Sequence, residues 1–470
     1  MTGIVRRPWW WACALGGAVA GVASLRIALL PDRWVVAAVL GVWTLAAALA
    51  WGELRRPALL VFAFSLQIGL ALYVTDPPTA PSVGASWPGS LALPLATLTA
   101  LAALATRARG DWIWGGGLAV CAGLLAATTL VSVPGSPERL IGVAHLAMIG
   151  AYYVVLLAAA NAVRDWRDFE SVVRVLLAAL ALQSGIYFVQ HLAGATFTPA
   201  GEWIAAQDAA LGRYGGTVGA RPAMFSSFLL PLLLIALAFL LASRERGVWI
   251  RYGAPAAAGA AALILTFTRA SWIGFALGLV YLLVAAWRRG WLVRGRMWAL
   301  AGALLAVAAV LSPKILARVA EDHGAAFDER WSLILMAQRV IEANPWTGVG
   351  AGAYPYVFRD YLTPELADKW LYVVHNVYVL RAAETGLPGV AAWMAFLVVA
   401  FRLAAPERMG RPAAALAALG WRAGLIALAW EMLWDVSIGP AAGSLLWFLS
   451  GLMLAGARLG REENDEAALS

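Results

Sequence analysis

Long apolar stretches follow one another along the whole chain, and this repetition constrains the fold more than any other feature of the sequence. Each is close to the ~20 residues that a helix needs to cross the ~30 Å hydrocarbon core of a bilayer. Because every backbone N–H and C=O must be paired inside hydrocarbon, these stretches are expected to be helices. The residues are 62% hydrophobic and 13% charged, whereas a soluble domain is about 45–50% apolar and about 25% charged. The sequence therefore predicts an all-α, polytopic membrane helix bundle.

The predicted bundle contains about 12–14 transmembrane helices. Arg6 and Arg7 precede the first apolar stretch as in a signal peptide, but that stretch continues to Leu30, so we interpret it as the first span. The predicted spans are Trp9–Leu30, Trp34–Trp51, Pro57–Val74, Leu91–Ala105, Ile113–Val133, Leu140–Ala160, Ser171–Leu192, Ala223–Leu241, Ala254–Phe267, Ser271–Trp287, Trp298–Leu311, Pro388–Phe401, Ala413–Leu433 and Ala441–Ala457.

Arginines predict the orientation of the bundle, because they cluster in alternate connections and mark these as cytoplasmic. The net charge of +8 is therefore mainly a topology signal, and it suggests no nucleic-acid partner. With this parity two long segments lie on the outer side. The predicted division is N-terminal transmembrane helices over 1–192, a first outer loop over 193–222, central transmembrane helices over 223–311, a large outer loop over 312–387, and C-terminal transmembrane helices with a cytoplasmic tail over 388–470.

The larger outer segment is too long and too patterned to be a simple connection. Helical spacing of apolar residues predicts a first helix over Asp328–Glu342, which ends at Asn344-Pro345. A second helix is expected from Thr363, with Pro364 in its first turn. A third is expected over His375–Glu384 and should stop at Gly386.

Three residues could carry chemistry, and each has a purely structural alternative. His375, at the outer face, could accept a proton near neutral pH, or it could be a surface histidine. Arg213 lies in a glycine-rich turn that could hold a phosphate, although the glycines could equally serve a tight re-entry into the bilayer. Arg269 lies where two spans meet almost without a loop, so it could bind an anionic head group or reach the interface by snorkelling.

Four segments of the chain resemble the O-antigen ligase and polymerase family of bacterial membrane glycosyltransferases. The matching segments are Arg213-Tyr-Gly-Gly-Thr-Val-Gly219, Thr266-Phe-Thr-Arg-Ala-Ser271, Arg330-Trp331 leading to Asn344-Pro-Trp-Thr-Gly-Val-Gly-Ala-Gly352, and His375-Asn376 followed by Glu384-Thr-Gly-Leu-Pro-Gly389. The order and spacing of the four are typical of the superfamily, but they do not separate its members.

The resemblance implies a GT-C-like helix bundle that transfers a glycan from undecaprenyl diphosphate to an acceptor hydroxyl outside the membrane, without a metal ion or other cofactor. It implies that Arg213, Arg269 and Arg330 hold the diphosphate and that His375 takes the proton of the attacking hydroxyl. Fixed guanidinium groups suit this chemistry because the leaving diphosphate gains negative charge. Residues that could support the site are Arg221, Tyr378, Arg381 and Glu384.

Three functions follow from these observations, and the sequence leaves them open. The first is an O-antigen ligase that moves a glycan onto lipid A-core or another acceptor, and the second is a polymerase that joins lipid-linked repeat units. Both would act in the bacterial inner membrane with the active site facing the periplasm or cell exterior. The third is a non-enzymatic transporter, which would favour ionisable residues at mid-span, where only Arg174 and Arg422 are expected.

Overall fold

The computed structural model describes most of the chain as a bundle of helices. The described residues are 53–73, 92–106, 112–194, 211–219, 221–243, 247–302, 325–362, 373–436 and 439–469, with a few single residues between these ranges. The helices are α1 (Arg55–Ser65), α2 (Leu95–Ala105), α3 (Gly117–Ser132), α4 (Arg139–Ala162), α5 (Trp166–Ala193), α6 (Pro222–Ala242), α7 (Ala254–Leu265), α8 (Arg269–Arg288), α9 (Ala325–Ala343), α10 (Val377–Leu403), α11 (Pro412–Glu431) and α12 (Pro440–Leu469). Residues 294–302 are also helical. Two three-residue strands, β1 (Ala71–Tyr73) and β2 (Ala92–Pro94), pair antiparallel.

The prediction of an all-α membrane bundle is confirmed. Among the described residues, eight helices are long and apolar enough to cross a membrane: α3, α4, α5, α6, α8, α10, α11 and α12. Each corresponds to one predicted span. Of the other predicted spans, Trp9–Leu30 lies outside the described residues, as do nearly all of Trp34–Trp51 and much of Trp298–Leu311.

Three predicted spans differ from the structure in length. In place of Pro57–Val74 and Leu91–Ala105 the chain forms α1 and α2, each of 11 residues, and in place of Ala254–Phe267 it forms α7, of 12 residues. At about 1.5 Å per residue, none of these helices can cross ~30 Å of hydrocarbon alone.

The segment that begins with α1 crosses the bundle as a helix followed by extended chain. At one end Arg55 forms an ion pair with Asp168 at the start of α5. At the other end the backbone N–H of Gly69 donates to the carbonyl of Thr217 at 2.9 Å. A Cβ at Gly69 would lie 2.0 Å from the carbonyl oxygen of Val218, so this close approach requires glycine. Irregular backbone is tolerated at membrane depth where protein covers it.

Helix α6 is the centre of the bundle, and both α8 and α11 pack against it and against each other. Small residues allow the backbones to approach: a Cβ at Gly420 would lie 2.4 Å from Cα of Ile235, and one at Gly274 would lie 2.7 Å from the carbonyl oxygen of Ala427. Glycine at such crossings is typical of membrane helices, which associate by van der Waals contact rather than by the hydrophobic effect.

The described outer segment folds on the beginning of α10. The predicted helix over Asp328–Glu342 is present as α9, and it packs with two short helices, Tyr354–Val357 and Phe358–Tyr361. The predicted helix from Thr363 falls almost wholly outside the described residues. The buried side chains of this small second core are Leu333, Met336, Ala337, Val340, Val349, Tyr354, Phe358, Val373, Val374 and Ala383.

The helix predicted over His375–Glu384 is the first part of a membrane span rather than a separate loop helix. Helix α10 begins at Val377 and continues to Leu403, with a non-helical backbone only at Gly386, where φ is 72° and ψ is 175°. The predicted stop at Gly386 is therefore a kink inside the span, and the span begins before the predicted Pro388.

The bundle has two distinct ends. At the basic end Arg289 pairs with Glu407, and Arg458 donates to the carbonyl of Val163 at 2.7 Å. At the opposite end, here called the loop end, α4, α6, α8, α10 and α12 begin, and the segments 211–219 and 344–361 lie. The Ser132 hydroxyl, at the end of α3, accepts the N–H of Ala351 there at 3.1 Å.

Candidate active site

The glycine-rich segment 211–219 is held in place by two glutamines of α5. The side-chain amide of Gln190 accepts the N–H of Gly216 and donates to its carbonyl, both at 3.1 Å. Two helical turns earlier, on the same face of α5, the side-chain oxygen of Gln183 accepts the N–H of Thr217 at 3.1 Å. Both glutamines are buried. Because each buried amide is satisfied by loop backbone, the loop has a fixed shape at the end of the membrane span.

Arg213 joins this loop to the turn between α7 and α8. Its Nε donates to the carbonyl oxygen of Thr266 at 2.8 Å. Tyr187 of α5 donates its hydroxyl to the adjacent carbonyl of Leu265 at 2.7 Å. A guanidinium beside the last carbonyls of a helix is electrostatically favourable. The structure therefore brings the first two segments of the sequence resemblance into direct contact.

The turn itself has an unusual backbone. Phe267 has φ of 52°, and it is the one non-glycine residue with positive φ in the described part of the chain. Arg269 then begins α8, where a basic residue opposes the helix dipole. Strained backbone and an unfavourably placed charge persist where they serve binding or catalysis. The turn is thus well suited to present Arg269 to an anion.

Glu431, at the end of α11, connects the Arg269 turn to the rest of the loop end. Its Oε1 accepts the hydroxyl of Ser226 at 3.0 Å and that of Ser271, which lies two positions after Arg269. Through these two serines Glu431 links α11 to α6 and α8.

The residue after Glu431 positions the segment that contains His375. The carbonyl of Met432 accepts the N–H of Val377 at 2.8 Å. Asn376 caps α10 by accepting the N–H groups of Tyr378 and Val379, each at 3.0 Å. The Tyr378 hydroxyl donates to the carbonyl of Ala429 at 3.0 Å, so it anchors α10 to α11.

His375 itself is half-buried, and its Nδ1 lies 2.8 Å from the carbonyl oxygen of Val373. With the Nδ1–H donated to this carbonyl, the neutral ring carries its lone pair on Nε2. The hydrogen bond therefore selects the tautomer that a proton acceptor needs and orients the ring.

The other predicted residues have different surroundings. Arg330 is half-buried on α9. Arg221 is the residue before α6 and makes no side-chain cap. Arg381 lies one turn inside α10, with its guanidinium carbon 4.8 Å from the centre of the Trp393 ring.

Glu384 holds the segment 344–352 against α10. Its side chain accepts backbone N–H groups of Gly352 and Tyr354. In addition, the N–H of Val349 donates to the carbonyl of Ala383, and that of Gly350 to the carbonyl of Glu384, both at 3.0 Å. The third and fourth segments of the resemblance are therefore structural partners of each other.

Residues 254–394 match the family model described as O-antigen ligase. The chain carries an O-antigen ligase domain. This domain begins at α7 and ends inside α10, so it includes Arg269, Arg330 and His375, whereas the glycine-rich loop with Arg213 precedes it. The match confirms the resemblance stated from the sequence over residues 254–394, and it supports a membrane glycosyltransferase of the ligase and polymerase type. No match is found among curated proteins.

Sequence reasoning did not identify the buried hydrogen bonds that position the candidate site. Gln183 and Gln190 lie seven positions apart in a mainly apolar span, and Ser226, Ser271 and Glu431 lie on three separate helices. The glutamines could have been found from their spacing, since two polar residues on one face of a membrane helix usually have partners inside the protein. Nothing local in the sequence indicates the serine pair.

Proposed function

We propose that this chain is an O-antigen ligase that transfers a glycan from undecaprenyl diphosphate to a hydroxyl of lipid A-core or a similar acceptor. The proposal places the protein in the bacterial inner membrane with its loop end facing the periplasm. The observation that carries it is the hydrogen bond from Arg213 to Thr266, which joins a basic glycine-rich loop to the turn that contains Arg269.

In the proposed reaction the bond between the anomeric carbon of the first sugar and the diphosphate oxygen breaks, and its electron pair stays with the diphosphate. The acceptor oxygen forms the new bond to that carbon. Its proton passes to Nε2 of His375 and then to solvent. Arg213 and Arg269 stabilise the charge that develops on the leaving diphosphate, with Arg330 contributing from α9. These cations supply electrostatic stabilisation without a metal ion.

Substitution of the proposed machinery tests this function. Transfer by the purified protein should fall at least about 100-fold in Arg213→Ala and in His375→Ala, the scale on which a charge-stabilising group or general base acts. The matched control is Arg339→Ala, which removes an exposed arginine of α9. Full activity in either variant, at equal protein level in the membrane, would remove that residue from the mechanism.

A gel of surface and carrier-linked glycans separates the ligase from the polymerase. Cells that lack a ligase should accumulate long glycan on the lipid carrier, whereas cells that lack a polymerase should show single repeat units. The ligase proposal fails if only single units accumulate.

A further inference from the structure

A cavity of about 160 Å³ lies inside the bundle near the loop end. By the same measure a single water molecule needs about 10–15 Å³. Its walls come from α3, α4, α10 and α12, which contribute Leu125, Met148, Leu380 and Trp447 among other apolar residues. Val377 also lines it, so the cavity reaches the helix start that follows His375, and no residue of α7 or of the glycine-rich loop is among its lining residues.

Arg381 is the cation of this cavity. Its side chain is half-buried and stacks on Trp393, and among the described residues its guanidinium forms no ion pair within 4 Å. Glu384, one turn further along α10, also lines the cavity. Its carboxylate accepts backbone N–H groups of the segment 344–352 and balances part of the charge of Arg381 electrostatically. A guanidinium inside a membrane span is costly unless an anion balances it, and stacking on an indole compensates only part of that cost.

Two further polar side chains line the same cavity. The ring of Tyr152 stacks on Trp447 with centroids 6.2 Å apart, and its hydroxyl lies close to the cavity-lining Gly443. His145 hydrogen-bonds through Nδ1 to the carbonyl of Ile141 at 3.0 Å. One cation with a neighbouring carboxylate, a hydroxyl and an imidazole in an apolar wall make a site for a small polar anion attached to an apolar chain.

We propose that this cavity binds the phosphate head group of a lipid, with Arg381 as its counter-ion and the first carbons of the lipid chain against Leu125, Met148 and Leu380. It is a second lipid site, separate from Arg213 and Arg269 and joined to them through the first turn of α10. Only the identity of the bound lipid rests on the proposed function, whereas the phosphate site itself does not. The same chemistry could come from a polyprenyl phosphate or from an anionic glycerophospholipid of the surrounding leaflet.

Lipid binding to the purified full chain in detergent, measured by native mass spectrometry, tests the site without turnover. The probes are undecaprenyl monophosphate, phosphatidylglycerol and uncharged diacylglycerol. The wild-type protein should bind at least one phosphate lipid about tenfold more tightly than diacylglycerol, and the tighter of the two phosphate lipids identifies the source. Equal binding of diacylglycerol would overturn the proposal, and this arm needs no variant.

The residue-level test is Arg381→Met, which removes the charge and keeps much of the volume. It should weaken phosphate-lipid binding about tenfold, because a charge-assisted hydrogen bond is lost. The control is Arg422→Met, another arginine stacked on an aromatic ring within a span, with its guanidinium carbon 4.0 Å from the Phe401 ring centre and outside the cavity. Wild-type binding by folded Arg381→Met, or equal loss in both variants, would overturn the assignment.

The two proposals fail separately. Retained transfer in Arg213→Ala and His375→Ala would remove the catalytic proposal and leave lipid binding at Arg381 intact. Loss of transfer in those variants, together with unchanged lipid binding in Arg381→Met, would support the catalytic proposal and remove the second lipid site.

Discussion

Glu431 shows how a buried carboxyl group can organise this site without touching a substrate. Only 3% of the residue is exposed, and its carboxylate accepts the hydroxyls of Ser226 and Ser271. Since Ser271 follows Arg269 by two positions, this bond fixes the start of α8 relative to the end of α11. Since Met432 bonds to Val377, the same helix end also fixes the start of α10.

Replacing Glu431 should therefore misplace Arg269 rather than remove a reacting group. We expect Glu431→Leu to lower the free energy of unfolding by about 1–3 kcal/mol, because two buried hydroxyls lose their hydrogen bonds to the carboxyl group. The KM for the lipid-linked donor should rise more than kcat falls. Glu431→Gln keeps a side-chain oxygen and should largely restore both values.

Thermal unfolding in detergent and donor-dependent kinetics measure these effects. Ser450→Ala is the control, because this buried serine bonds only to the carbonyl of Leu446 in its own helix. An unchanged KM and an unchanged unfolding temperature in Glu431→Leu would show that the serine pair does not position Arg269.

At the level of single residues, the sequence predicted which groups lie at the loop end but not what they bond to. Arg213, Arg269 and His375 were found because they are polar and fall beside spans. Their positioning depends on hydrogen bonds between distant parts of the chain, such as the bond from Ser271 to Glu431, which spans 160 residues. A local pattern contains no information about such a pair.

The packing of the segment 344–352 against α10 requires glycine on both sides of the contact. Gly348 has φ of +65°, and a Cβ there would lie 2.3 Å from the carbonyl carbon of Glu384. Gly386, at the kink of α10, faces the carbonyl oxygen of Trp346 in the same way, at 2.4 Å. The two segments approach backbone to backbone, so neither glycine can gain a side chain without movement of the other segment.

Gly348→Ala should separate the segment from α10. The left-handed backbone alone costs an alanine about 1–2 kcal/mol, and the contact with Glu384 adds to this. We expect a lower unfolding temperature, faster proteolysis within 344–361 and at least about tenfold less transfer, the effect of ~1.4 kcal/mol on a rate.

Gly150→Ala is a matched control for this substitution. Gly150 lies inside α4, and a Cβ there would have no atom within 4 Å. Alanine in a helix interior is favoured over glycine by about 0.5–1 kcal/mol, so this variant should be as stable as the wild type or more so. Equal unfolding temperatures, proteolysis rates and transfer activities in Gly348→Ala and Gly150→Ala would contradict the close approach at Gly348.

Element boundaries were predictable where the local sequence determines them. The break at Gly386 and the helix ending before Asn344-Pro345 follow from glycine and proline chemistry, and both are present. The early end of α1 at Ser65 was not predicted, because Pro57–Val74 is apolar enough to span a membrane. Its extended part is stabilised by the backbone of Thr217, on a segment far along the chain.

The whole molecule has a basic end and a loop end, and the orientation of these two ends is a prediction of its own. We expect a cysteine at Trp346, whose side chain is 72% exposed at the loop end, to react with a membrane-impermeant maleimide in intact cells with a permeabilised outer membrane. A cysteine at Glu466, exposed near the end of α12, should react only after lysis.

The unsubstituted chain, with Cys13 and buried Cys121, gives the background for this labelling. Labelling of Glu466→Cys in intact cells, with Trp346→Cys protected, would reverse the orientation. The proposed active site would then face the cytoplasm, and the assignment of a periplasmic undecaprenyl diphosphate-linked donor would be wrong.

The central helix also bears on how the protein is made. Helix α6 has a mean hydropathy of 2.5, the highest of the eight candidate spans, although 94% of its most apolar window is enclosed by protein. During synthesis α6 emerges before α8 and α11, so lipid must surround it until they arrive. An almost entirely apolar surface is stable both in lipid and against other helices. The nascent chain can therefore remain in the bilayer before α8 and α11 pack on α6, without exposing a strongly polar face to lipid.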